Sequence, residues 1–136
     1  MADKDKQQAA DENKIDHYVK QGLIASGKHA QVWEAVAENT SNRFALKVLL
    51  PEAMLDHEQV AILKSEGKVA QALDHPNIIK WVATVNRKTN VYLVLELFRA
   101  LNVKNFLAND TFGVQMRLRK VIECVCLALQ HMHERG

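Results

Sequence analysis

The chain has few of the residues that carry special covalent chemistry or interrupt secondary structure. Its 136 residues include two cysteines, two prolines and five glycines. Cys124 and Cys126 stand two apart, a spacing that suits neither a disulfide framework nor a zinc site. They read as small apolar side chains in a reducing, cytoplasmic setting. No apolar run approaches the roughly 18 residues that cross a bilayer, so no membrane partner is expected. The stretch from Ala2 to Lys14 is polar and cannot be the apolar part of a secretory signal. Charge of one sign is not in excess either: 18 Lys and Arg face 16 Asp and Glu, for a net charge of +2. Nucleic-acid binding calls for a strong basic excess on one face, and none is expected here. No repeat or low-complexity segment is visible.

What is present is a soluble globular composition, 48% apolar and 25% charged, with a length of one domain or less. Residues 1–14 hold no aromatic and no branched aliphatic side chain. They cannot bury enough surface to offset ordering entropy, which predicts a disordered polar tail. From Ile15 the pattern changes. Tyr18–Ala25, Gln31–Val36 and Arg43–Leu49 read as an antiparallel meander, with turns at Ser26–Lys28 and Glu38–Asn42. A helix capped by Asp56 follows, with Gln59 in a loose capping-box position, and Asp74-His75-Pro76 stops it near Leu73. Ile78–Val85 and Val91–Leu97 make two more strands. A short helix over Lys104–Ala108 precedes a long one from Thr111 into Glu134. The apolar positions Leu118, Val121, Val125, Ala128 and Met132 keep helical rhythm. Ile122, Cys126 and Leu129 widen the stripe, so this helix is expected to be mostly buried.

Two charges stand where apolar residues belong. On the first long helix the expected core stripe is Ile62, Val69 and Leu73, and Glu66 falls within about 40° of Ile62. In the strand Arg43–Leu49, Lys47 is a lone cation among apolar neighbours, on the face it shares with Ala45. A buried charge needs a partner. Two arrangements satisfy both residues. The helix packs on that sheet face and the charges pair, or Lys47 snorkels to water and Glu66 lies at the helix margin.

With these two residues the order of segments resembles the N-terminal lobe of a eukaryotic-type serine/threonine protein kinase. Phe44-Ala45-Leu46-Lys47 stands where that family has Val-Ala-Ile-Lys. Glu66 matches its helix glutamate. His75-Pro76-Asn77-Ile78 matches the stretch before its fourth strand, and Val94-Leu95-Glu96-Leu97-Phe98 matches the fifth strand and hinge. The resemblance runs from about Ile15 to Gly136. It implies an α+β fold: a five-stranded antiparallel sheet with one packed helix, then two helices of a C-terminal lobe. It also implies a division into a tail (1–14), a lobe with hinge (15–98) and the first two helices of an incomplete second lobe (99–136).

For function, the resemblance implies ATP-dependent phosphoryl transfer to protein hydroxyls. Lys47 would contact the phosphates and Glu66 would hold it in place and charged. Ala45 and Val32 would lie on either side of adenine, although plain sheet packing accounts for both equally well. Leu95 matches the gatekeeper, and the backbone of Glu96 to Phe98 the adenine-binding hinge. The family's phosphate loop, Gly-x-Gly-x-x-Gly-x-Val, is matched by Ala25-Ser26-Gly27-Lys28-His29-Ala30-Gln31-Val32. Only Gly27 keeps a glycine. The alanines disfavour positive φ and predict a stiffer loop and weak ATP binding. Lys28 and His29 could offset this by charge, and an ordinary hairpin turn is the alternative reading.

Gly22 to Lys28 also fits the start of a P-loop, but His29 replaces the magnesium-binding Ser or Thr and Asp16–Gln21 is too polar for a buried parallel strand. No His-Arg-Asp or Asp-Phe-Gly motif occurs, so no metal ligand is nominated, and Mg2+ is expected only with a complementing C-lobe. His131 and His133 stand two apart on a helix and diverge, so they read as helix-end polarity rather than a zinc pair. The reading is therefore a partial kinase domain, catalytically silent alone, with Lys47 and Glu66 within ion-pair reach and an apolar face on the last helix awaiting cover. The alternative is a non-catalytic, pseudokinase-like module that docks a partner protein.

Overall fold

The computed structural model describes residues 13–136, so residues 1–12 of the expected tail lie outside it. The chain divides into two compact units. The first comprises residues up to Ala72 together with Trp81–Leu97, and the second comprises Leu73–Lys80 and Phe98–Gly136.

The first unit is an antiparallel sheet of strands β1 (Lys14–Ile15), β2 (Tyr18–Ser26), β3 (Ala30–Ala37), β4 (Arg43–Leu49), β5 (Trp81–Asn86) and β6 (Val91–Glu96). Their order is β1-β2-β3-β4-β6-β5. All five expected strands are present. The sixth, β1, was not expected, because two residues carry no periodicity. A side-chain cluster holds it instead. Asp16 turns the chain at φ 54, a left-handed conformation that Asp tolerates. Its carboxylate accepts from the Tyr92 hydroxyl at 2.6 Å and from Arg87 at 2.9 Å. Ile15 is thereby buried beside Tyr18 in the core on one sheet face, with Ala35, Leu46, Tyr92 and Val94. Residues 30–37 form an antiparallel strand, where a P-loop requires a helix, so the P-loop reading falls.

The other sheet face carries helix α2 (His57–Gln71), preceded by a single helical turn, α1 (Pro51–Met54), that the sequence reading did not foresee. Asp56 caps α2, accepting from the Glu58 amide at 2.8 Å. The buried stripe of α2 is not the expected one. Ile62 and Val69 are about half exposed, whereas Leu63 and Gly67 are buried. The reason is close approach: at Gly67 the helix comes so near the sheet that a Cβ would overlap Thr84 Oγ1 and lie 2.9 Å from Leu93 Cδ2. Contact at a glycine is invisible to a count of apolar side chains.

In the second unit, helix α3 (Val103–Asn109) is followed by α4 (Thr111–His133). Asn102 caps the first and Asp110 the second, each accepting from a backbone amide at 2.8 Å. The Arg117 guanidinium lies over the Phe106 ring, 5.8 Å from its centroid. The Asn77 side-chain amide donates to the Cys124 carbonyl at 3.2 Å and ties the 73–80 segment to α4. The apolar stripe of α4 is not buried within this chain, in keeping with a face that awaits cover. Leu118, Val121, Ile122, Val125, Leu129 and Met132 are all exposed, and the partly covered positions are Val114, Cys124, Ala128 and His131. Among the described residues no helix is long and apolar enough to cross a membrane.

Candidate functional site

Antiparallel register decides which side chains share a sheet face. Val32 pairs with Lys47 and Glu34 with Ala45 across β3 and β4. Ala45 then pairs with Leu95 and Lys47 with Leu93 across β4 and β6. Ala25 pairs with Val32 at the far side. One row therefore runs Ala25–Val32–Lys47–Leu93 and the next Glu34–Ala45–Leu95, all on the face that α2 covers in part. Val32, Ala45, Lys47 and Leu95, nominated from the sequence, meet here.

Lys47 is the one cation among those rows. Its ammonium donates to both carboxylate oxygens of Glu66, at 2.7 and 2.8 Å. The pair forms even though Glu66 lies beside, not within, the buried stripe of α2. The helix margin and the ion pair, set against each other as alternatives, are both realised. The two side chains are 30% and 42% exposed, so water still reaches the ammonium and an anion could approach it. A hollow of about 110 Å³ adjoins the pair, lined by His29, Ala30, Leu49, Gln59, Ile62 and Leu63.

The β2–β3 connection, Gly27-Lys28-His29, leads to this hollow. The Gly27 amide donates to the Ala30 carbonyl at 2.9 Å, and the His29 carbonyl accepts from the Leu50 amide at the end of β4, also at 2.9 Å. No residue from Ala25 to Ala30 has a positive φ, so Ala25 and Ala30 sit there without strain. Lys28 is exposed at the tip.

Glu96 pairs with Phe44, which puts its side chain on the opposite face from Lys47, compatible with a backbone role only. Phe98 falls in the second unit and is 70% exposed. Two further positions were missed. Leu93 is fully buried directly beside Lys47; strand alternation from Leu95 would have found it. Gly67 sets how close α2 comes to the sheet, and nothing in an apolar pattern marks it. Among the described residues no three His, Cys, Asp or Glu side chains gather as a metal site.

The chain is similar to "Protein kinase C-like" of Hypocrea jecorina, 29% identical over 125 residues that make up 90% of this chain and 11% of that protein. It is similar also to "CBL-interacting serine/threonine-protein kinase 26" of Arabidopsis thaliana, 27% identical over 113 residues, 83% of this chain and 26% of that one. It thus spans only about a tenth to a quarter of these relatives' length. The crystal structure of the Mycobacterium tuberculosis PknI kinase domain superposes with a TM-score of 0.68 at 22% identity, over 90% of this chain and 50% of that one. At such identity the likeness speaks for the fold alone. The family model described as "Protein kinase domain" matches residues 18–136, which takes in every strand from β2 onward and all four helices, and on that match the chain belongs to the protein kinase family.

Proposed function

We propose that the first unit binds ATP for a serine/threonine protein kinase. The observation that carries this reading is the Lys47–Glu66 pair at 2.7 Å on the face that also presents Val32, Ala45 and Leu95. Lys47 contacts the phosphates while Glu66 holds it in place and keeps it charged. Val32 and Ala45 flank adenine, Leu95 stands at the inner end of its pocket, and the backbone of Glu96 and Leu97 faces its polar edge. Ala25, Gly27 and Lys28 cover the phosphates. The magnesium ligands of the family belong to a catalytic-loop asparagine and an Asp-Phe-Gly aspartate, motifs this sequence does not contain. Magnesium and phosphoryl transfer therefore enter only with a complementing C-lobe.

Titration of the 136-residue chain with a fluorescent ATP analogue tests the reading. Weak, saturable binding is expected, together with its loss in Lys47→Met. Equal affinity in Lys47→Met would remove Lys47 from the site. Steady transfer of labelled phosphate by this chain alone would overturn the view that it is catalytically silent. The exposed apolar face of α4 favours one second reading, a non-catalytic module that docks a partner protein. Absence of any nucleotide binding, with a partner captured through that face, would select it.

A further inference from the structure

His131 does more than add polarity to a helix end. Its ring lies against that of His75, with centroids 5.1 Å apart. His75 sits in the 73–80 segment and His131 on α4, both within the second unit. Each ring has its Nδ1 committed as an acceptor. The Asn77 backbone amide donates to His75 Nδ1 at 3.1 Å. The Arg135 guanidinium, which can only donate, lies 3.0 Å from His131 Nδ1. In each ring an accepting Nδ1 leaves the ring proton on Nε2. The Nε2 of His131 is shut off from solvent and has no hydrogen-bond partner, so it offers an added charge no compensation.

We propose that the His75–His131 contact is a pH-sensitive latch, holding the 73–80 segment on α4 in neutral solution and releasing it in mildly acidic solution. Protonation at His131 Nδ1 breaks the hydrogen bond it accepts from Arg135 and sets a cation against both Arg135 and the His75 ring. The groups facing His131 are Glu134 and Arg135, just past the end of α4, and His75 and Asp74 from the segment. Partial burial depresses the His131 pKa first, then Arg135 and His75; Glu134 and Asp74 oppose them and do not prevail. The sign follows: a base with a lowered folded pKa stabilises the contact fully above the ordinary imidazole range, and that contribution fades as pH falls through it. The latch does not depend on nucleotide binding.

Nuclear magnetic resonance of the full 136-residue chain tests the latch. In the wild type, contacts between the 75 and 131 rings should be present at about pH 7.5 and lost near about pH 5.5, the range in which imidazoles titrate. Protection of the Asn77 amide from exchange should fall several-fold over the same range, after correction for the intrinsic rate. His131 should titrate below the ordinary value of about 6.5. The double substitution His75→Phe with His131→Phe keeps the ring contact and removes both protons, so its contacts should persist in acid. Wild-type contacts that survive acid, or a double variant that loses them equally, would overturn the proposal. Should the double variant not fold, the wild-type titration decides alone, and a His131 that titrates at or above the ordinary value rejects the latch.

Discussion

Tyr92 and Lys47 lie in adjacent strands, at neighbouring register positions and on opposite faces of the sheet, and they show how differently a polar group can be held. The Tyr92 ring is fully buried, and its hydroxyl is bound to the Asp16 carboxylate. Burial, then that hydrogen bond, pushes its pKa well above the ordinary phenol value near 10. Burial and then Asp16 also raise Tyr18. Both phenols are held neutral in the fold, so their contribution is complete below about pH 10 and is lost as pH rises through the raised values. The chain has two tyrosines. No phenolate absorbance step is therefore expected at pH 10 in the folded protein; one should appear higher, together with unfolding. Tyr92→Phe should cost about 1.5–3 kcal/mol in urea denaturation, the range for a hydrogen bond to a charged group. The Lys47–Glu66 pair is partly exposed, so its worth to stability is about 1 kcal/mol or less. Glu66→Gln should barely move the melting temperature yet weaken binding of the ATP analogue. A large loss of stability with binding unchanged would make the pair structural.

At the scale of elements, α2 is placed by a glycine. Gly67→Ala gains about 1 kcal/mol in helix propensity, but the new methyl overlaps Thr84 Oγ1 and crowds Leu93. Neither can yield cheaply. The Thr84 hydroxyl is fixed by the Trp81 indole N–H at 2.9 Å, and Leu93 is fully buried. Overpacking of this kind costs about 1–3 kcal/mol, so the net effect should be destabilising in a urea titration. Because α2 carries Glu66, the shifted helix should also lengthen the ion pair and weaken nucleotide binding. A stabilised Gly67→Ala variant would show that the sheet relaxes instead.

At the scale of the whole molecule, the long apolar stripe of α4 faces solvent. Phe112 and Met116 are about 70% exposed, and Leu118, Ile122 and Val125 about half. Contiguous patches of a few hundred Å² mark interfaces or aggregation sites. Covering one is worth on the order of 10 kcal/mol before entropic costs, at about 25 cal/mol per Å². The 136-residue chain should therefore bind an apolar-surface dye and self-associate in sedimentation. Replacing Ile122 and Val125 by Glu should reduce both without unfolding the sheet, since these residues lie in the second unit. A compact monomer that binds no dye would show the stripe to be covered.

By itself the sequence determined the order and type of nearly every element, because β-prone segments, turn residues and a 3.6-residue rhythm are local signals. Arg43–Leu49 is an apolar run interrupted by one lysine, and the strand has those limits. The same lysine, with Glu66 nineteen positions on, made the ion pair legible: two charges in apolar surroundings need each other. Tertiary structure decided what no local pattern contains. The two-residue β1 exists through Asp16, whose partners Arg87 and Tyr92 are more than seventy positions away. Register, not composition, set Leu93 beside Lys47. Close packing at Gly67 rotated α2 away from its apolar stripe and left Ile62 and Val69 in water. The packed side of α4 runs through Cys124 and His131, because Asn77 and His75 grip it there. Helical periodicity says that a face is apolar; only the neighbouring segment says which face is taken.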